Sequence, residues 1–189
     1  MFERVLGIIT FKAPTYRVIA GDKSAIKQAA ILVVVVALIQ GFCGDLIATN
    51  AIGDSLSLSK EFLSAVLNVT LGLILWVIIA WLLAAIVKAF SGKTDTGEML
   101  RVTGFVQVFG LVSVLSLVAL INPDIIFVNL LIALAIWCLS LVGYFIGVRE
   151  IAKLSTNKAI ITAFLVSVAS LVILFLVDRI SNAVFPILL

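Results

Sequence analysis

The stretch FLSAVLNVTLGLILWVIIAWLLAAIVKAF, Phe62–Phe90, runs 29 residues with a single charge, Lys88. A bilayer's hydrocarbon core is about 30 Å thick and takes about 20 apolar helical residues to cross. At 1.5 Å per residue this run reaches about 43 Å, which predicts a spanning helix that tilts or protrudes. Four further apolar runs share its character: Ala25–Phe42, Met99–Ile121, Ile125–Gly147 and Ala159–Val177. The expectation is an all-α integral membrane protein. Five transmembrane helices fill residues 25–178, with an amphipathic segment at 1–24 and an apolar tail at 179–189.

Composition agrees. With 63% hydrophobic side chains and a mean hydropathy of +1.33, the 189 residues do not describe a water-soluble domain. The spans use nearly all of the chain, leaving no room for a separate soluble unit.

Charge then orients the spans. Of thirteen Lys and Arg residues, Arg4, Lys12, Arg17, Lys23 and Lys27 precede or open the first span. Lys88, Lys93 and Arg101 frame the loop between the second and third; Arg149, Lys153 and Lys158 frame the one between the fourth and fifth. The other side holds Lys60 and Arg179 alone. Basic short loops stay cytoplasmic, so the N-terminus is expected inside and the C-terminus outside. A net charge of +3 and a pI near 9.0 raise nucleic-acid binding as a reading. The cations are dispersed between spans, and topology accounts for them, so no nucleic-acid partner is expected.

Several chemistries drop out. The chain has no histidine, the commonest general base and metal ligand. Cys43 and Cys138 lack a metal-ligand spacing. They also sit at depths differing by roughly 20 Å, too far for a disulfide, and read as apolar packing. No Ser, Cys or carboxylate has a recognisable base partner, so no catalytic residue, cofactor or metal is assigned. Gly92-Lys93-Thr94 has Val87 where a phosphate-binding loop needs its first glycine, and it follows a membrane helix rather than a strand. The first span begins after residue 24 without a small-residue cleavage site, and reads as a retained anchor.

Outside the spans, Phe2, Val5, Leu6 and Ile9 form one helical stripe with Glu3, Arg4 and Lys12 off it. Pro14 interrupts this pattern, and a short second piece follows. Such a basic amphipathic segment lies in the membrane interface. The stretch Gly44–Glu61 reads as an outer loop, and Asn122-Pro123-Asp124 as a tight outer turn. Gly92 is read as the end of the second helix. Asp95 and Glu98 have the spacing of a capping box at the start of the third. Gly143 and Gly147 repeat a small residue every fourth position, which lets helix backbones approach closely. That seam serves either a homodimer or packing within the bundle, and the second reading is preferred. No ionisable residue lies mid-span. Gln107 and Asn68 are expected to hydrogen-bond between helices.

Two local patterns carry a family likeness. One is Ser91-Gly92-Lys93 followed by Gly97-Glu98-Met99-Leu100-Arg101-Val102-Thr103-Gly104-Phe105. The other is Gly147-Val148-Arg149-Glu150 with Leu154-Ser155-Thr156 and Lys158-Ala159. With five spans and a basic N-terminal segment, they make the chain resemble the Yip family, the Ypt/Rab-interacting membrane proteins, in its prokaryotic branch. The likeness covers most of residues 10–178. Phe109-Gly110 stands where the family often has a proline. The acidic Tyr-Gly-Pro motif of eukaryotic trafficking members is absent, so GTPase binding is not carried over.

The resemblance implies a non-enzymatic scaffold in the cytoplasmic membrane, acting on lipid or protein partners. Its contact face would comprise Arg4, Lys12, Arg17, Lys93, Arg101, Arg149, Lys153 and Lys158. The partners expected are the lipid bilayer and a membrane protein or second copy of the chain. The alternatives are an accessory subunit of a larger membrane complex, or a small transporter or channel using Gln107 and Asn68.

Overall fold

The computed structural model describes residues 1–52, 58–120 and 126–188, with side chains placed at 1–47, 62–118, 120, 127–176 and 179. Two short helices, α1 (Phe2–Ile9) and α2 (Ala13–Gly21), precede α3 (Ala25–Ile52) and α4 (Leu58–Ala89). The third span starts as α5 (Thr96–Val106) and continues directly as a 3₁₀ helix, Gln107–Leu120. Helices α6 (Ile126–Ala152) and α7 (Thr156–Leu188) complete the chain. Among the described residues there is no strand. Five stretches are long and apolar enough to cross a membrane: Ala25–Ile47, Phe62–Ala89, Thr96–Val118, Phe127–Ala152 and Thr156–Leu176. The protein is a multi-pass, all-helical membrane protein.

Helix ends explain most of the boundaries. α1 closes with the amide of Lys12 on the Gly7 carbonyl (2.8 Å) and that of Phe11 on Ile8 (3.0 Å). This paired ending needs a left-handed residue, and Phe11 supplies it at φ 53°. A bulky side chain is an outlier there. Stacking of its ring on Phe109, with centroids 5.3 Å apart, holds it in place. α4 ends the same way, with the Gly92 amide on Val87 and the Ser91 amide on Lys88, both at 2.9 Å. The left-handed position belongs to Ser91, φ 63°, rather than to the neighbouring glycine. Gly92 is instead needed one residue later, where an added Cβ would lie 2.7 Å from Val87 and 3.0 Å from Leu154. Asp95 accepts from the Glu98 amide (2.6 Å) and Glu98 from the Asp95 amide (3.2 Å), forming the expected capping box.

One reading changes. Residues 44–52, expected in a loop, are the last turns of α3; Ser64 of α4 donates to Asp45 at 2.6 Å, giving this polar extension a partner in the neighbouring helix. Residues 58–61 of that loop are the first turn of α4, while 53–57 and the Asn122-Pro123-Asp124 turn lie outside the described residues. As expected, the N-terminal segment breaks into two helices just before Pro14. That proline sits in the first turn of α2, where no amide donor is needed.

The spans form a ring. α3 packs on α4 and the third span, α4 on α7, α7 on α6, and α6 back on the third span. In the half that carries the basic loops, α5 plugs the middle, touching α2, α3, α4 and α6 at once. Its Met99, Val102, Phe105 and Val106 are fully buried there, with Tyr16, Ile19, Leu83 and Val166 around them. Beyond Gln107 the pitch tightens to 3₁₀, and the segment keeps α3 and α6 as its main neighbours. The centre of the ring is thereby left open in the other half.

Candidate functional site

The basic end of the bundle is built by side chains that reach across the chain. Arg4 holds Asp22 (2.5 Å) and Gln28 (3.2 Å), tying α1 to the start of α3. Arg17 on α2 bonds Glu150 on α6 through Nε at 2.8 Å and through Nη2. Glu150 is nearly buried and takes Arg149 on its other oxygen at 2.9 Å. Arg149 also lies over the Phe145 ring. Arg101 donates from Nε (2.8 Å) and Nη2 to the Ala20 carbonyl, satisfying the end of α2. Lys158 donates to the Phe90 carbonyl at 3.3 Å, doing the same for α4. A cation beside a helix C-terminus also meets the favourable end of its dipole.

The arginines of the expected contact face are thus engaged within the fold. Six lysines are not. Lys12, Lys23, Lys27, Lys88, Lys93 and Lys153 are exposed and have no protein partner among the described residues. Charge counting cannot make this division, because the partners of Arg17 and Arg101 stand 133 and 81 residues away.

Asp22 carries a strong electrostatic signature at this end. Hydrogen bonding by Ser24, then the Arg4 guanidinium, pulls its carboxyl from 3.8 down to about 2. A depressed acid stabilises the fold fully above its ordinary pKa and loses that contribution as pH falls through the folded value. The melting temperature of the detergent-solubilised protein is therefore expected to drop as pH falls from 3.8 toward 2. Asp22→Asn should flatten that part of the profile; an unchanged acid limb would show that the Arg4 contact contributes nothing.

α1 keeps most of its expected stripe open, with Val5 alone of the four packed against the core. The stripe of Phe2, Leu6 and Ile9 stays open, at 72%, 43% and 45% exposure, while Gly7 and Ile8 face the protein. Gly7 is required, since a Cβ would come within 2.3 Å of Thr15. The apolar stripe is left free to dip into the membrane interface.

Gly143 and Gly147 both face the third span. A Cβ at Gly143 would meet Val106 at 3.0 Å, and one at Gly147 would meet Val102 at 2.9 Å and Tyr16 at 3.4 Å. Gln107 lines the central space of the ring. Asn68 does not: it donates to Ser64 at 3.2 Å and packs under Gly41. Cys43 is buried and Cys138 is exposed on the outside of α6, so Cys138 does not pack in the interior. Among the described residues no cluster of acids or cysteines could hold a metal ion.

The two loops that carry the family-like motifs meet at this end, through Gly92 against Leu154 and Lys158 on Phe90. The model of the Yip1 domain matches residues 6–177. The chain belongs to the Yip family. The matched range takes in α2 as well as all five spans, so within this Yip1 domain the docked N-terminal helix is an integral part. No curated protein and no solved structure matches the chain.

Proposed function

We propose that this Yip1-domain protein is a non-enzymatic scaffold of the cytoplasmic membrane, engaging acidic partner surfaces through its basic end. The observation that carries the reading is the division of labour between cations. Arginines lock α1, α2 and the loops together, while six exposed lysines are left for an outside partner. The bias of basic residues supports a cytoplasmic position for this end. The paired loop motifs support the prokaryotic branch of the family. Each lysine near an anionic surface contributes about 1 kcal/mol, so three or four suffice for a reversible attachment.

The test is to isolate the intact protein from native membranes in mild detergent and identify stoichiometric companions. Combined replacement of Lys12, Lys93 and Lys153 by Glu is expected to release a companion bound at this end, with the melting temperature unchanged. Retention of every companion by the triple variant would refute the lysine face. Labelling of Lys93→Cys only from outside the cell would refute its cytoplasmic placement. A companion that stays bound and covers the spans would instead favour an accessory subunit.

A further inference from the structure

Beyond Gln107, the ring encloses a cavity of about 380 Å³ to which all five spans contribute. Its polar side chains are Gln40, Gln107, Trp137, Ser140, Tyr144, Ser167 and Ser170. Ser170 donates to the Ser167 carbonyl at 2.8 Å. The others have no protein partner among the described residues, and the Trp137 indole nitrogen is buried and unbonded. Ser167 and Tyr144 are themselves 2% and 7% exposed. Buried polar groups are ordinarily satisfied, and a buried group left without a partner is destabilising. The unbonded Trp137 donor, converging with the buried Tyr144 and Ser167 on one space, points to a guest.

The chemistry of the walls defines that guest. An indole N–H can only donate, and the hydroxyls and amides can donate as well, so the guest must bring oxygen acceptors. No Asp, Glu, Lys or Arg lines the cavity, so an ion entering it would lose its hydration without a countercharge. The remaining wall is aliphatic, with Val36 and Leu171 on opposite sides, and calls for an apolar body. Access is from the bilayer. Leu171 and Leu174 line the cavity yet are about half exposed on the bundle's lipid-facing surface. The volume falls within the usual range for small-molecule sites, about 300–1,000 Å³.

We infer that the central cavity binds a neutral carbonyl-bearing amphiphile drawn from the bilayer, its oxygens held by Trp137, Tyr144 and the serines. Diacylglycerol and quinones share this chemistry. This site is separate from the lysine face, and its test does not depend on that reading.

Purified full-length protein in detergent is incubated with dioleoylglycerol, with a long-chain quinone, or with phosphatidylglycerol, and bound molecules are counted by native mass spectrometry. One equivalent of dioleoylglycerol or quinone is expected, and whichever is held tighter identifies the source. Trp137→Phe keeps the ring but not the donor, and should weaken retention about tenfold, the worth of one hydrogen bond. Ser167→Leu should fill the cavity and abolish retention. Ser140→Ala, the least disruptive change, should weaken binding even if Ser167→Leu does not fold. Failure of both neutral probes to bind would overturn the inference. So would equal retention of phosphatidylglycerol, or binding indifferent to Trp137→Phe and Ser140→Ala.

Discussion

Gly104→Leu is expected to prevent the bundle from assembling, leaving aggregated protein on size-exclusion chromatography in detergent. An added Cβ at this position would stand 2.6 Å from the Ala29 Cβ, 3.1 Å from the Ala29 Cα and 3.1 Å from Trp76. Two of these contacts are with groups that cannot rotate away, since Ala29 has no flexible side chain. Overpacking costs about 1–3 kcal/mol where side chains can adjust, and more where a backbone must move. Close approach through glycine is what holds spans together when lipid removes the hydrophobic driving force. The milder Gly104→Ala should lower the melting temperature, and adding Ala29→Gly should restore much of it. Independent, additive losses in the double variant would show that the α3–α5 crossing is not set by this contact.

Trp76→Ala is expected to cost about 3–5 kcal/mol, the range for removing a large buried aromatic side chain. Trp76 is 5% exposed and joins α4 to the plug. Its indole N–H reaches both the Leu100 carbonyl (3.0 Å) and the Thr103 hydroxyl (3.1 Å). The Thr103 hydroxyl in turn donates to Met99 at 2.8 Å. Trp76→Phe separates the two contributions, because it keeps most of the ring and loses only the donor, worth about 1 kcal/mol. Unfolding of the two variants in detergent should therefore differ severalfold in the stability lost. Equal losses would assign the effect to the hydrogen bond and not to packing.

The five spans were legible because lipid imposes a length and a composition on any segment that crosses it, as Phe62–Phe90 shows. The capping box was legible for a similar reason, since Asp95 and Glu98 satisfy each other within one turn. What escaped reading depends on contacts between distant segments. Arg17 and Glu150 carry no local mark of their pairing. The apolar stripe of α1 predicted a membrane-facing surface and could not reveal that Gly7 and Ile8 face the bundle. Ser91 takes the left-handed position beside a glycine because Leu154, from a separate loop, leaves no room for a side chain at Gly92. The change of pitch at Gln107, and the cavity it opens, also has no signature in periodicity, since both helix types present an unbroken apolar run.

The closed ring also sets an order of events during synthesis. α7 leaves the ribosome after the other four spans, and it packs on both α6 and α4 on that side of the bundle. A nascent chain with four inserted spans already holds the arginine contacts of the basic end, because Arg17, Arg101 and Glu150 all precede residue 156. Its wall is still open, however, and Trp137 and Ser140 face acyl chains. Maturation is thus staged from the basic end toward the opposite membrane face, with the fifth span adding the last wall of a lipid-facing cleft.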